Sequence, residues 1–476
     1  MVFNSYTFIV FFIIILILHN LPFTWKMKKI NLLLASYIFY AAWNPPFIIL
    51  LWISTLIDYF VGIKLHQETV KAKRKAWLFI SIAGNLGLLG FFKYGNFLLE
   101  NFTLLCQSLG LDYHPAKMDI ILPVGISFYT FQTLSYSLDM YKRKGLPEKS
   151  LLDFSLFVTF LPQLVAGPIV RPDELIPQFK KPVTATKQQL LQGLLLLSLG
   201  LFMKVVMADT MLSGASDAVF DAARPLPAVD AWAGVLAFSG QIFFDFAGYS
   251  TCAIGIALCF GFFITHNFLY PYAAIGFSDF WRRWHITLSS WLRDYLYIPL
   301  GGNRKGNVRT YINLMLTMLI GGLWHGASWT FVVWGGLHGL YLGLEKFIDD
   351  KTHKITKLVL THKKTITGFL YALFTFFLVN ITWVFFRAQG FKKAWDMLKS
   401  MFGMQNGDPL LSTLALIKVA IVIPLMVLFH WLLRNTTVVQ AAAKLPWWLV
   451  GTIWAVMILL LVWSQESTGS FIYFQF

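Results

Sequence analysis

Apolar runs long enough to cross a bilayer alternate with short basic clusters along most of this chain. A transmembrane helix needs about twenty mostly apolar residues. By that measure the first half is expected to span near 6–21, 30–43, 47–63, 77–100, 120–138, 151–167 and 187–207. Asn44, Pro45 and Pro46 make a tight turn between the second and third runs. The stretch from Asp230 to Phe262 is long for one span and holds Gln241 and Asp245, so it is expected to be tilted, or kinked near Gly248. Spans near 367–386, 410–429 and 446–464 follow, with an amphipathic piece at Phe391 to Met404 and a closing tail SFIYFQF. There is no internal repeat. The pattern predicts an all-α polytopic integral membrane protein, one membrane domain over residues 1–476 with about ten to thirteen transmembrane helices and re-entrant or interfacial pieces between them. Its catalytic core is expected roughly at 120–345.

Where the pattern fails is informative. Asp58 interrupts the third run; a buried carboxylate in a bundle usually has partners, so pairing with a neighbouring helix is the simpler reading and a cavity role the sharper one. The fifth run carries Ser127, Tyr129, Thr130, Gln132, Ser135 and Ser137, too many polar groups to face lipid. In LFVTFLPQLVAGPIVRPDELIPQF, Pro162, Gly167 and Pro168 would break a helix, and broken backbone at membrane depth is tolerated only inside protein or around a cavity. From His266 to Gly306 the chain is too charged to cross lipid and too aromatic for a free loop, so it is expected at the headgroup level or folded back into the protein.

Composition agrees: of 476 residues 57% are hydrophobic and 13% charged, with mean hydropathy +0.63. The first run has no basic leader and no small-residue cleavage site, so it is expected to be retained as a helix. The net charge of +16 does not point to nucleic acid, because the basic residues sit in clusters between runs: Lys26, Lys28 and Lys29, then Lys71, Lys73, Arg74 and Lys75, then Lys142, Arg143 and Lys144. Alternate loops are basic, which places these three on the cytoplasmic side. Cys106, Cys252 and Cys259 support neither a disulfide framework nor a zinc site.

The candidate chemistry lies between Phe277 and His338. His285 sits among Arg282, Arg283, Arg293 and several Trp and Tyr residues, and His325 among Gly321, Gly322 and Gly326, which allow close helix packing or close approach of a substrate. His338 follows His325 by thirteen residues, about 220° around a continuous helix, so those two are not expected to share a face. No histidine pair has metal-ligand spacing, and no metal is expected. An imidazole in a cavity can take a proton from a hydroxyl near neutral pH, which suits acyl transfer to an alcohol; a buried histidine also often only bonds a neighbouring helix. There is no GxSxG elbow and no nucleotide loop. A transporter or flippase is the rival class, since broken helices and intramembrane charge fit it too.

FSDFWRRWHITLSSWLRDYLYIPLGGNRKG and NLMLTMLIGGLWHGASWTFVVWGGLHG resemble the membrane-bound O-acyltransferase family, in its alginate O-acetyltransferase branch. LPVGISFYTFQTLSYSLDMY, FLPQLVAGPIVRPDELIPQF, NITWVFFRAQGFKKAW and FIYFQF resemble that branch too. The teichoic-acid D-alanyl transfer branch is similar through FWRRWH and the later histidine.

The resemblance implies a ring of helices around a central tunnel that a cytoplasmic acyl donor enters. It implies His325 as catalytic base and His285 as the second family histidine, binding the donor or positioning the acyl group. On that footing Arg282, Arg283 and Arg293 would hold donor phosphates, unless they snorkel to lipid headgroups, and Ser127 and Gln132 would line the tunnel. It further implies acetyl-CoA or another acyl thioester as donor with no tightly bound cofactor, an exported polysaccharide such as alginate as final acceptor, and a location in the bacterial inner membrane. The chain shows no hydrolase domain of its own, so a separate periplasmic lipase-like (SGNH-type) partner is implied.

Overall fold

A computed structural model describes residues 2–353, 355, 357, 359 and 365–464, and every regular element among them is helical. In chain order the helices are α1 (Tyr6–Asn20), α2 (Trp25–Ala41), α3 (Ile48–Gln67), α4 (Lys71–Ser108), α5 (Ile126–Tyr141), α6 (Leu151–Thr159), α7 (Pro172–Phe179) and α8 (Lys187–Leu201). A π-helical stretch, Phe202–Ser213, joins α8 to α9 (Gly214–Asp221). Then come α10 (Ala228–Cys259), α11 (Phe277–Trp281), α12 (Ile286–Leu292), α13 (Asn307–His325), α14 (Trp329–Thr352), α15 (Ile366–Arg387), α16 (Phe391–Met401), α17 (Thr413–Leu433), α18 (Val438–Ala442) and α19 (Trp447–Trp463). The tail FIYFQF lies outside the described residues.

Among the described residues six helices are long and apolar enough to cross a membrane: Pro45–Gln67, Lys71–Ser108, Lys187–Asp221, Ala228–Cys259, Ile366–Arg387 and Thr413–Leu433. α1 and α19 are shorter apolar helices. Several of the remaining expected runs are shorter or interrupted. The run expected at 120–138 becomes helical only at Ile126, after Pro123 and a left-handed Gly125 (φ 77°). The run expected at 151–167 stops at Thr159, ahead of Pro162. α10 continues unbroken through Gly248.

The chain forms two compact units, one of residues up to Leu194 with Ala253–Thr265, the other of Leu195–Cys252 with the described residues from His266 onward. In the first, α3, α4 and α5 meet around Asp58. Its carboxylate accepts from Ser81, from Ser137 Oγ (2.5 Å) and from Asn85 Nδ2 (2.6 Å). A fully buried carboxylate survives when its lone pairs are occupied, so the pairing expected at Asp58 takes the form of hydroxyl and amide donors in place of a cation. Residues 160–170, irregular in backbone, are all buried. Gln163 Nε2 caps the Phe157 carbonyl at 3.0 Å, and Ser36 Oγ accepts from Leu161 N at 3.0 Å. Broken backbone inside the protein thus finds side-chain partners. Lys29, counted among the basic loop residues, is buried and pairs with Asp153.

In the second unit, α9, α10, α14, α15, α16 and α17 share a core that includes Phe238, Ile242, Trp284, Trp334, Val379, Trp383, Phe386 and Ile423. Lys204, on the π-helical stretch, is ion-paired with Asp245 of α10 and with Asp209 (2.9 Å). Small residues let these helices touch: a Cβ on Gly200 would meet the Gly248 carbonyl oxygen at 2.5 Å.

Candidate active site

Three features of the second unit bring the histidines together. First, α13 and α14 form a hairpin. Gly326 is extended (φ −159°, ψ 151°), and Ser328 caps α14 by accepting from Thr330 N at 3.3 Å. The expectation that His325 and His338 face apart assumed one continuous helix; the break at residues 326–328 overturns it. The Trp334 ring lies 5.0 Å from His325 and 4.8 Å from His338, centroid to centroid.

Second, Gly322 and Gly335 face each other across the hairpin. A Cβ on Gly322 would stand 3.1 Å from Gly335 Cα. The glycine before His325 therefore serves helix contact, one of the two uses the sequence left open.

Third, the segment before α12 folds back on the helices. His285 adopts a left-handed conformation (φ 44°, ψ 54°), uncommon outside glycine. It is fully buried, between Phe246 of α10 (ring centroids 4.7 Å), Phe268 (6.4 Å), Trp324 (5.9 Å) and His325 (6.4 Å). Lying outside the apolar spans, it has its pKa lowered to about 3 by desolvation, so it is neutral at physiological pH.

Asn267 holds His285. Its carboxamide oxygen lies 3.2 Å from His285 Nδ1 and accepts from Thr287 N (3.2 Å) and Thr287 Oγ1 (2.9 Å). Its backbone carbonyl accepts from Ile286 N at 2.9 Å, and its Nδ2 donates to Ser250 Oγ at 3.3 Å. His338 is held on the other side of the cluster. Thr382 Oγ1 spends its proton on Val379 O (2.7 Å), so the 3.1 Å contact with His338 Nε2 is a bond that His338 donates.

The other candidates have different settings. Arg283 is committed within the protein: Nε to Asp279 Oδ1 (2.9 Å), and one terminal nitrogen to Leu269 O (3.2 Å) and Arg434 O (2.8 Å). Arg434 completes this buried node through Asp279 Oδ2 (2.5 Å) and Ala273 O (2.9 Å). Arg282, next in sequence, is exposed. Arg293 pairs with Asp294 at 2.7 Å. Ser127 and Gln132 lie in the first unit on α5, where both are buried and Gln132 Nε2 donates to Phe157 O. Among the described residues no group of three or more His, Cys, Asp or Glu side chains is placed to hold a metal ion.

Asn267, Trp334 and Phe386, whose ring is 5.4 Å from His325, were not legible as site residues. Asn267 stands eighteen positions before His285 with no periodic link to it, and the aromatic residues read as ordinary core.

Two neighbouring imidazoles in an aromatic enclosure, one of them held neutral, can accept and return a proton while water is kept away. The family model for the membrane-bound O-acyltransferase family matches residues 8–386. A peptidoglycan O-acetyltransferase from Helicobacter pylori is 42% identical over 405 residues, covering 80% of this chain and 74% of that protein. A probable alginate O-acetylase from Pseudomonas putida is 39% identical over 502 residues, covering both chains fully. A teichoic acid D-alanyltransferase from Bacillus subtilis is 27% identical over 257 residues, 51% of this chain and 63% of that one.

Proposed function

Because the chain belongs to the membrane-bound O-acyltransferase family and is a multi-pass membrane acyltransferase, we propose that it transfers acetyl groups from a cytoplasmic thioester for O-acetylation of an exported glycan. Acetyl-CoA is the proposed donor and the bacterial inner membrane the proposed location. Relatives named for alginate and for peptidoglycan share the chemistry, a sugar hydroxyl outside the membrane, and that shared class is the acceptor proposed here. Completion by a separate periplasmic lipase-like transferase belongs to the same reading.

The observation that carries this reading is the 6.4 Å pairing of His285 and His325 inside a buried aromatic enclosure. In the proposed step His325 takes the proton of an acceptor hydroxyl as its oxygen attacks the thioester carbon. A C–O bond forms, the C–S bond breaks, and the proton returns to the departing thiolate. His285 positions the acyl group beside it. Exposed Arg282 is free to meet donor phosphates in a way that Arg283, occupied with Asp279, is not.

The test is His325→Ala in purified, membrane-reconstituted protein supplied with labelled acetyl-CoA and its glycan system. Acetyl transfer is expected to fall by at least about a hundredfold, in line with loss of a general base, with donor binding retained. Normal acetylation by the variant would remove His325 as the base.

A further inference from the structure

We infer that Asn267 is a positioning residue of the acyl-transfer site: its carboxamide oxygen holds His285 as the Nδ1–H tautomer, which makes Nε2 the accepting nitrogen of that ring. The inference rests on the acyltransferase reading above and adds to it which nitrogen of His285 carries the lone pair.

The assignment follows from donor arithmetic. The backbone N–H of Thr287 can only donate, and it points at the same Asn267 atom that faces His285 Nδ1. That atom is therefore the carboxamide oxygen, and the amide orientation is settled by its neighbours. An oxygen facing Nδ1 at 3.2 Å requires a proton on Nδ1. A neutral imidazole carries one such proton, so Nε2 bears the lone pair.

Asn267 also brackets the strained backbone of His285, taking the Ile286 amide on its main-chain carbonyl and the Thr287 amide on its side chain. A left-handed histidine persists where its surroundings over-determine it. Ser250 of α10 in turn receives Asn267 Nδ2, so the orienting group is itself oriented. The arrangement follows the logic of base and orienter, in which a second group selects the tautomer of a catalytic imidazole.

Around His285, α10 contributes Phe246 and Ser250, the preceding loop Asn267 and Phe268, α12 Thr287, and α13 Trp324 and His325. His325 is the other titratable group of that set; the residue-267 side chain lies 3.2 Å from His285 Nδ1, with the His325 ring 6.4 Å from the His285 ring, so a carboxylate at 267 acts most strongly on His285.

The experiment compares Asn267→Ala with Asn267→Asp in the full-length, membrane-reconstituted protein, reading kcat and donor KM between pH 5.5 and 8.5. Asn267→Ala is expected to lower kcat by about 10- to 100-fold with donor KM within about twofold, as for loss of an orienting partner. Asn267→Asp keeps the oxygen acceptor and is expected to restore most of kcat at pH 8. Its carboxylate favours imidazolium, so the acid limb of kcat/KM should move upward and the variant should lose activity relative to wild type at the acid end of the range. Wild-type kcat and profile in Asn267→Ala would overturn the inference, and so would an unmoved acid limb in Asn267→Asp.

A third readout does not depend on the Asn267 variants folding. In wild-type protein labelled with ¹⁵N-histidine, the resonances lost in His285→Gln should show Nδ1 protonated and Nε2 bare; the opposite tautomer refutes the assignment. Transfer that survives His325→Ala would instead sink the acyltransferase mechanism. Loss of transfer in His325→Ala beside full activity in Asn267→Ala would sink this inference alone.

Discussion

Replacing Gly322 by alanine should damage the site without touching any group that does chemistry. The new methyl would stand 3.1 Å from both Cα and N of Gly335, and closer still to the Phe331 carbonyl oxygen. All of these atoms are backbone, and none can swing aside as a flexible side chain would. The α13–α14 hairpin must therefore open by about 1 Å, an overpacking strain of about 1–3 kcal/mol. Gly322 lies one turn before His325, and Phe331 one turn before Trp334, so the opening separates the imidazole from the indole 5.0 Å away. A displacement of about 1 Å in a reacting group costs on the order of a hundredfold in rate. The control is Gly336→Ala on α14, the other helix of the hairpin, where the added methyl would meet only Leu319 Cδ2 at 3.5 Å, ordinary contact. That change should be neutral, or stabilising by up to about 1 kcal/mol through helix propensity. Thermal unfolding and acetyl transfer in nanodiscs would be measured for both. If Gly322→Ala matches Gly336→Ala in both measurements, close packing of the hairpin does not set the geometry of His325.

Thr382→Val removes the acceptor of the buried His338 N–H, and unfolding should become easier by about 1–3 kcal/mol; an unchanged unfolding temperature would contradict the assigned bond. Arg434→Met leaves the Asp279 carboxylate buried with part of its compensation gone, since both side chains are almost fully enclosed. A destabilisation of about 3–5 kcal/mol is expected, read as loss of folded protein in detergent at a temperature the wild type tolerates. Asp58→Leu strands the donors Ser81, Asn85 and Ser137 and should cost more stability than Asp58→Asn, which keeps an oxygen acceptor; equal unfolding temperatures for the two variants would argue against the hydrogen-bonded carboxylate.

Much of the architecture was legible because membrane burial imposes a coarse rule. A chain that must satisfy its backbone without water forms helices, and their apolar lengths can be counted. The helical class, the break after Thr159 and the need of Asp58 for partners all follow from residue order alone. Its limits appear where one interaction joins distant positions. Nothing in the spacing of Gly326 and Ser328 announced that the helix ends at His325, and with it the folding of His338 onto the far side of Trp334. Arg282 and Arg283 are neighbours of like charge, yet one is exposed while Asp279 and two carbonyls hold the other. Asn267 is a single polar residue in an aromatic loop until the fold sets its oxygen against His285. Periodicity reports which face of a helix avoids water, whereas the protonated nitrogen of a buried imidazole depends on a partner eighteen residues away, and only the folded chain brings that partner within reach.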